Sequence, residues 1–125
     1  MQKKKFSILV VDDEQVVREN VSRILCDEGF KVFVAEDGKS AIEIAGKESF
    51  DAALLDIKLP DMNGVEVFEK IKLLNPDVKA VIMTAYEIKE LVNQAFALGA
   101  FACLHKPFEI KKLLKILNDI KQENE

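Results

Sequence analysis

One histidine, two cysteines and no membrane-length apolar run: what this 125-residue chain lacks removes several classes of function at once. Cys26 and Cys103 lie far apart and form no CxxC pair, so neither a disulfide framework nor a zinc or iron centre is indicated. They read as reduced thiols of a cytoplasmic protein. His105 has no second histidine to pair with, and no Ser-His-Asp set assembles. There is neither a P-loop nor a GxGxxG, so a nucleotide is not the obvious ligand. The net charge of -4 shows no electrostatic footprint for nucleic acid. MQKKK resembles the start of a signal peptide. However, the apolar stretch after it is short, ends in Asp12-Asp13-Glu14 and has no small-residue cleavage site. Those lysines read as a solvated tail, and no membrane role is indicated. No linker, repeat or low-complexity segment interrupts the chain.

What is present is ordinary globular composition, 49% hydrophobic and 32% charged, at the modal length of one domain. The expectation is a single domain over 1–125 with its core at about 6–122. The hydrophobic period alternates along the chain. FSILVV (6–11) reads as a strand buried on both faces. From Glu14, residues Val17, Val21, Ile24, Leu25 and Glu28 share one side of a helix that Gly29 ends. KVFVAE (31–36) is a second strand, Asp37-Gly38 a turn and 40–48 a helix. DAALLD (51–56) is a third strand, LPDMNG (59–64) a loop with an Asn-Gly turn signal, and Val65 to Leu74 a helix closed by Asn75-Pro76. KAVIMTA (79–85), a helix over 88–98 ended by Gly99, AFACLH (100–105) and a last helix from Glu109 to about Gln122 complete the pattern.

Strict strand–helix alternation implies a parallel sheet with right-handed crossovers and helices on both faces. Ligands of such sheets sit beyond the carboxyl ends of the strands. Those ends carry Asp12 and Asp13, then Asp56, then Thr84, then Lys106 followed by Pro107. Adjacent carboxylates repel, and a cation or a helix N-terminus is needed to offset that. Three carboxylates, a hydroxyl and an ammonium suit Mg²⁺ plus a phosphoryl group. A carboxylate can itself be a nucleophile, and Asp56, alone at the centre of the sheet edge, is the best candidate.

VDDE at 11–14, LLDIKLPDMNG at 54–64, MTA at 83–85 and HKPF at 105–108 resemble the motifs of the response regulator receiver domain of two-component signalling. The resemblance runs from about Phe6 to Leu117. The TAY and KPF stretches are more loosely similar to sporulation-type phosphorelay receivers. The family likeness implies a flavodoxin-like α/β fold: a (βα)5 doubly wound, five-stranded parallel sheet of strand order 2-1-3-4-5. It implies that Asp56 accepts a phosphoryl group from a histidine kinase or histidine phosphotransfer protein. Asp12 and Asp13 would hold Mg²⁺ (or Mn²⁺) with Asp56 and the backbone carbonyl of Lys58. Thr84 and Lys106 would hold phosphoryl oxygens, across a cis Lys106-Pro107 peptide. Lys58 and Tyr86, two residues after Asp56 and Thr84, would slow hydrolysis of the acyl phosphate. On the first helix Gln15, Val16, Glu19 and Asn20 would touch the phosphodonor. Val16 lies well off the helix's buried direction.

The chain departs from the family at Cys103, where an aromatic usually swings with Thr84. Either Phe101 substitutes, or the signal leaves through loop and backbone movement. Cys103 itself reads as a small buried hydrophobe, with a redox role the alternative. Asn63 replaces a frequent Asp, and both suit a turn. His105 should point away from Lys106, and Lys111, Lys112 and Lys115 form a basic stripe on the last helix. Two other functions use similar parts. A Mg²⁺-dependent aspartate phosphatase would have a second Asp where Lys58 stands. A flavin module would need a Ser/Thr-rich loop where VDDE would repel phosphate. A degenerate receiver acting by binding alone remains a third alternative. The output partner, and the choice between a monomer and a phosphorylation-dependent dimer, are not written in these residues. A polar final helix fits a single-domain relay protein and a receiver joined to an output domain equally.

Overall fold

The computed structural model describes residues 5–85 and 88–123. Five strands alternate with five helices: β1 (Ser7–Val11), α1 (Gln15–Asp27), β2 (Lys31–Ala35), α2 (Gly38–Ala45), β3 (Ala52–Asp56), α3 (Gly64–Leu74), β4 (Lys79–Thr84), α4 (Lys89–Ala97), β5 (Ala102–His105) and α5 (Ile110–Glu123). All pairings are parallel, in the order β2-β1-β3-β4-β5. The parallel sheet expected from strand alternation and the strand order implied by the family resemblance are both observed.

Period-two alternation sorts the strands' side chains onto two apolar layers. Leu9, Val11, Leu55 and Ile82 face Ala41 and Ala45 of α2, Phe68 and Ile71 of α3 and Ala95 of α4. Ile8, Val10, Leu54 and Met83 face Val21 and Leu25 of α1 and Leu113, Leu117 and Ile120 of α5. β1 and β3 are buried along their whole length, which is why they read as continuous hydrophobic runs. Gly29 and Gly99 take φ of +91° and +103° just after α1 and α4, the left-handed stop that ends a helix cleanly.

Two local readings need correction. The second helix begins at Gly38 rather than Ser40 and ends at Ala45. Asp37 is its N-cap, its Oδ1 accepting the Ser40 N–H at 2.8 Å, so Asp37-Gly38 is a helix start and not a free turn. Asn63-Gly64 is likewise no reverse turn. Asn63 caps α3 by accepting the Glu66 N–H at 3.0 Å, and Gly64 is the first helical residue. No helix of the described residues is long and apolar enough to cross a membrane.

Candidate phosphoryl and metal site

Strand register gathers the site. Asp56 pairs with Met83 and Thr84 with His105, so the last residues of β3, β4 and β5 align at one sheet edge with the residues just past β1. Asp12 follows β1 directly and is fully buried. Its Oδ1 accepts the Glu14 N–H at 2.9 Å, and its carbonyl accepts from Arg18 Nη1 at 2.8 Å. Asp56 Oδ1 accepts the Lys58 N–H at 3.1 Å, which fixes the carboxylate's orientation. One carboxylate oxygen each from Asp12, Asp13 and Asp56 lies within 4.8 Å of the others. Octahedral Mg²⁺, with oxygen ligands at about 2.1 Å, needs its donors about this close, so the all-oxygen set fits the ion.

Lys106 is the counter-ion. Its Nζ binds Asp12 Oδ2, reaches Asp56 Oδ2 at 3.1 Å and stands 3.7 Å from Glu14 Oε1. Burial opposes the ammonium, but its hydrogen bonds to Asp12 and Asp56 outweigh that and hold its pKa above the ordinary lysine value. Asp56 shifts the same way for a different reason. Desolvation by burial pushes its carboxyl up, against the lowering pull of the Lys58 N–H and Lys106, with Asp12's charge a minor addition. Burial, more than the charge of neighbouring Asp12, therefore raises the Asp56 pKa. Thr84 is buried at the end of β4, and the Lys106 N–H donates to its carbonyl at 2.7 Å. The Lys106-Pro107 peptide is cis. A cleft of about 270 Å³, lined by Asp13, Glu14, Asp56, Lys58, Pro60 and Lys106 among others, opens over these groups.

A raised Asp56 pKa has a definite sign. The folded state binds the proton more tightly than the unfolded chain does. Ionised Asp56 thus weakens the fold above its folded pKa, and that penalty disappears as pH falls through it. The same protonation would take one charged oxygen donor from the Asp12–Asp13–Asp56 cluster. Mg²⁺ affinity is expected to fall as pH drops from neutral into the mildly acid range, and Asp56→Asn to raise the thermal midpoint at neutral pH. Calorimetric Mg²⁺ titrations at several pH values check the first, and an affinity flat across that range would contradict it.

Other residues singled out from the sequence are placed as follows. Val16 is 68% exposed in the first turn of α1, bordered by exposed Gln15, Glu19 and Asn20. Gln15 Nε2 donates to Glu19 Oε1 at 2.8 Å across one turn. Tyr86 lies outside the described residues. Cys103 is half-buried among the side chains of the α2–α4 layer, and burial pushes its thiol pKa up, which favours the unreactive protonated form. Phe101 packs into the opposite layer, against the α1–α5 core. His105 is exposed. Three contributors had no site role assigned from the sequence: Glu14 on the cleft wall, Arg18 on the Asp12 carbonyl, and Gly64. An added Cβ at Gly64 would lie 2.4 Å from the Asp56 carbonyl oxygen.

The family model for the response regulator receiver domain matches residues 8–118. Sporulation initiation phosphotransferase F of Bacillus subtilis is 35% identical over 106 residues, covering 85% of this chain and 86% of that protein. A CheY-like response regulator receiver domain protein from Methanospirillum hungatei superposes with a TM-score of 0.91 at 34% identity, covering 97% of this chain and 98% of that one. The response regulator TrrA of Thermotoga maritima, solved in complex with Mg(2+)-BeF, superposes with a TM-score of 0.81 at 30% identity, covering 92% and 98% of the two chains. Several other curated relatives are longer, and the chain spans 31% to 46% of their length.

Proposed function

Because the chain belongs to the response regulator receiver domain family, we propose that Asp56 is its phosphoacceptor and that the residues around it promote their own phosphorylation. A receiver domain is a signalling module that works with a phosphodonor kinase or phosphotransfer protein and binds Mg²⁺ at an acidic pocket. The observation that carries the assignment is the position of Asp56. It ends the central strand, 3.1 Å from the Lys106 ammonium and beside Asp12 and Asp13.

In this reading an Asp56 carboxylate oxygen attacks the donor's phosphorus, the donor's bond to phosphorus breaks, and an acyl phosphate forms. Lys106 turns from its carboxylate partners to the incoming phosphoryl oxygens, and the Thr84 hydroxyl binds another. The Lys58 N–H holds the nucleophile in one rotamer. Asp12, Asp13, Asp56 and the Lys58 carbonyl would hold Mg²⁺, which would supply the charge that lets an anionic carboxylate accept an anionic group. Lys58, on the cleft wall, restricts water at the product. Phosphorylation then biases a conformational equilibrium read by an output partner. Lys58 at the position of a second aspartate disfavours the phosphatase alternative.

The test is intact mass after incubation with acetyl phosphate, with and without Mg²⁺. One added phosphoryl group that needs both Mg²⁺ and Asp56, and is absent in Asp56→Asn, is the expected result. An adduct that survives Asp56→Asn would move the acceptor elsewhere. We further propose that the exposed patch at Gln15, Val16, Glu19 and Asn20 receives the donor protein. Val16→Asp is expected to slow transfer from a phosphohistidine protein about tenfold or more by burying a charge in the contact, while leaving labelling by acetyl phosphate unchanged. Equal slowing with both donors would place the effect in the site rather than in docking.

A further inference from the structure

The loop that leaves Asp56 is anchored at both ends. At its base, Lys58 and Asn63 pair as an antiparallel bridge, and the Gly64 N–H donates to the Ile57 carbonyl at 2.7 Å. At its tip the loop docks on a helix that contributes nothing else to the site. Asp61 Oδ1 accepts the Gly38 N–H at 2.9 Å, and Asp61 Oδ2 accepts the Lys39 N–H at 2.9 Å. One carboxylate thus satisfies two of the donors that the start of α2 leaves without intrahelical partners. Those two backbone hydrogen bonds also hold the Asp61 carboxyl below its ordinary value. Met62 completes the contact. An added Cβ on Gly38 would lie 2.5 Å from Met62 Cγ and 2.7 Å from its Sδ, so the methionine seats where only glycine leaves room.

Lys58 belongs to the base anchor; its N–H orients Asp56, and it lines the cleft. We propose that Asp61 is a positioning residue for the phosphoryl and metal site. By clamping the loop tip to the N-terminus of α2, it holds the Lys58 backbone in the geometry that binds the ion and presents Asp56. The proposal rests on the phosphoacceptor reading of Asp56. Asp61 touches neither reactant. It acts through Lys58, as residues one layer behind a metal's ligands commonly do.

The test compares four variants of the full chain by calorimetric Mg²⁺ affinity, by acetyl phosphate labelling at saturating Mg²⁺ and by thermal midpoint. Asp61→Ala is expected to weaken Mg²⁺ binding about tenfold or more. Asp61→Asn keeps the shape and one acceptor, and should lose less. Gly38→Ala attacks the clamp from the helix side and should reproduce the loss with Asp61 intact. Asp37→Ala removes the cap of the same helix without touching the loop, and should lower the midpoint while leaving Mg²⁺ affinity as in the wild type.

An Asp61→Ala affinity within twofold of wild type, with a lowered midpoint, would overturn the proposal and leave Asp61 as a helix cap. Equal weakening by Asp37→Ala would also overturn it, because helix stability and not the clamp would then be the cause. If Asp61→Ala does not fold, Asp61→Asn and Gly38→Ala decide by the same readouts. A wild type that takes no label and binds no Mg²⁺ would sink the phosphoacceptor reading and this inference together. A labelled wild type with an indifferent Asp61 would sink the inference alone.

Discussion

Lys106→Met is expected to destabilise the metal-free protein by about 3–5 kcal/mol and to slow acetyl phosphate labelling of Asp56 by about two to three orders of magnitude. The side chains of Asp12 and Lys106 are 0% and 12% exposed, so their pair is largely out of water. Removing the ammonium leaves Asp12 charged, buried and short of a partner, the expensive way to break an ion pair. A bound cation can replace that charge. Saturating Mg²⁺ should therefore restore much of the lost stability, since ligand at a hundred times its dissociation constant adds about 2.7 kcal/mol. Mg²⁺ should also bind the variant more tightly than wild type, because no ammonium competes for Asp12 and Asp56. Labelling should stay slow, because an ion at the carboxylates would not replace the contact proposed between Lys106 and the phosphoryl oxygens. The lysine's raised pKa sets the pH window: its stabilisation is complete below its ordinary value of 10.5 and is lost only as pH rises through the folded pKa above that. The gap between wild type and variant should thus be constant across neutral pH. Urea denaturation with and without Mg²⁺ measures the first effect and mass labelling the second. Weaker Mg²⁺ binding in Lys106→Met would refute the role of counter-ion.

That lysine also shows where sequence reasoning ends. The strand ends could be read from periodicity alone, and sheet topology then placed Asp12, Asp13, Asp56, Thr84 and Lys106 on one edge. What periodicity carries no record of is pairing across the chain. Lys106 and Asp12 stand 94 positions apart, and nothing local says that the ammonium binds the carboxylates before any phosphoryl group arrives. In sequence the adjacent carboxylates call only for a cation or a helix N-terminus. In the structure the lysine already balances part of their charge. Asp61 fails for the same reason. It looks like an ordinary loop aspartate, and its partners at Gly38 and Lys39 lie 23 and 22 positions upstream. Local signals are ambiguous too. Asp37 followed three positions later by Ser40, and Asn63 by Glu66, are helix starts by their side-chain chemistry, yet the glycine after each drew a turn reading. At Gly38 and Gly64 glycine serves close approach rather than positive φ, and the two uses look identical in sequence.

Gly64→Ala turns that distinction into a measurement. The new methyl group would lie 2.4 Å from the Asp56 carbonyl oxygen and 2.8 Å from Ile57 Cα, both of them backbone atoms that no rotamer change can move aside. Either α3 withdraws, stretching the 2.7 Å hydrogen bond from the Gly64 N–H to Ile57, or the end of β3 shifts and carries Asp56 with it. Overpacking of this kind costs about 1–3 kcal/mol, and immovable neighbours place it at the upper end. Both responses disturb the nucleophile, so slower labelling and weaker Mg²⁺ binding should accompany the lost stability. Gly46→Ala is the internal control. Gly46 has φ of -74° at the end of α2, and its nearest obstacle to a Cβ is 3.5 Å away. There the same methyl group should stabilise by about 0.4–1 kcal/mol, by restricting the unfolded chain. One chemical change thus has opposite signs at two helix ends. If both variants matched wild type in urea midpoint and labelling rate, the close approach of α3 to Asp56 would not be what holds the phosphoacceptor in place.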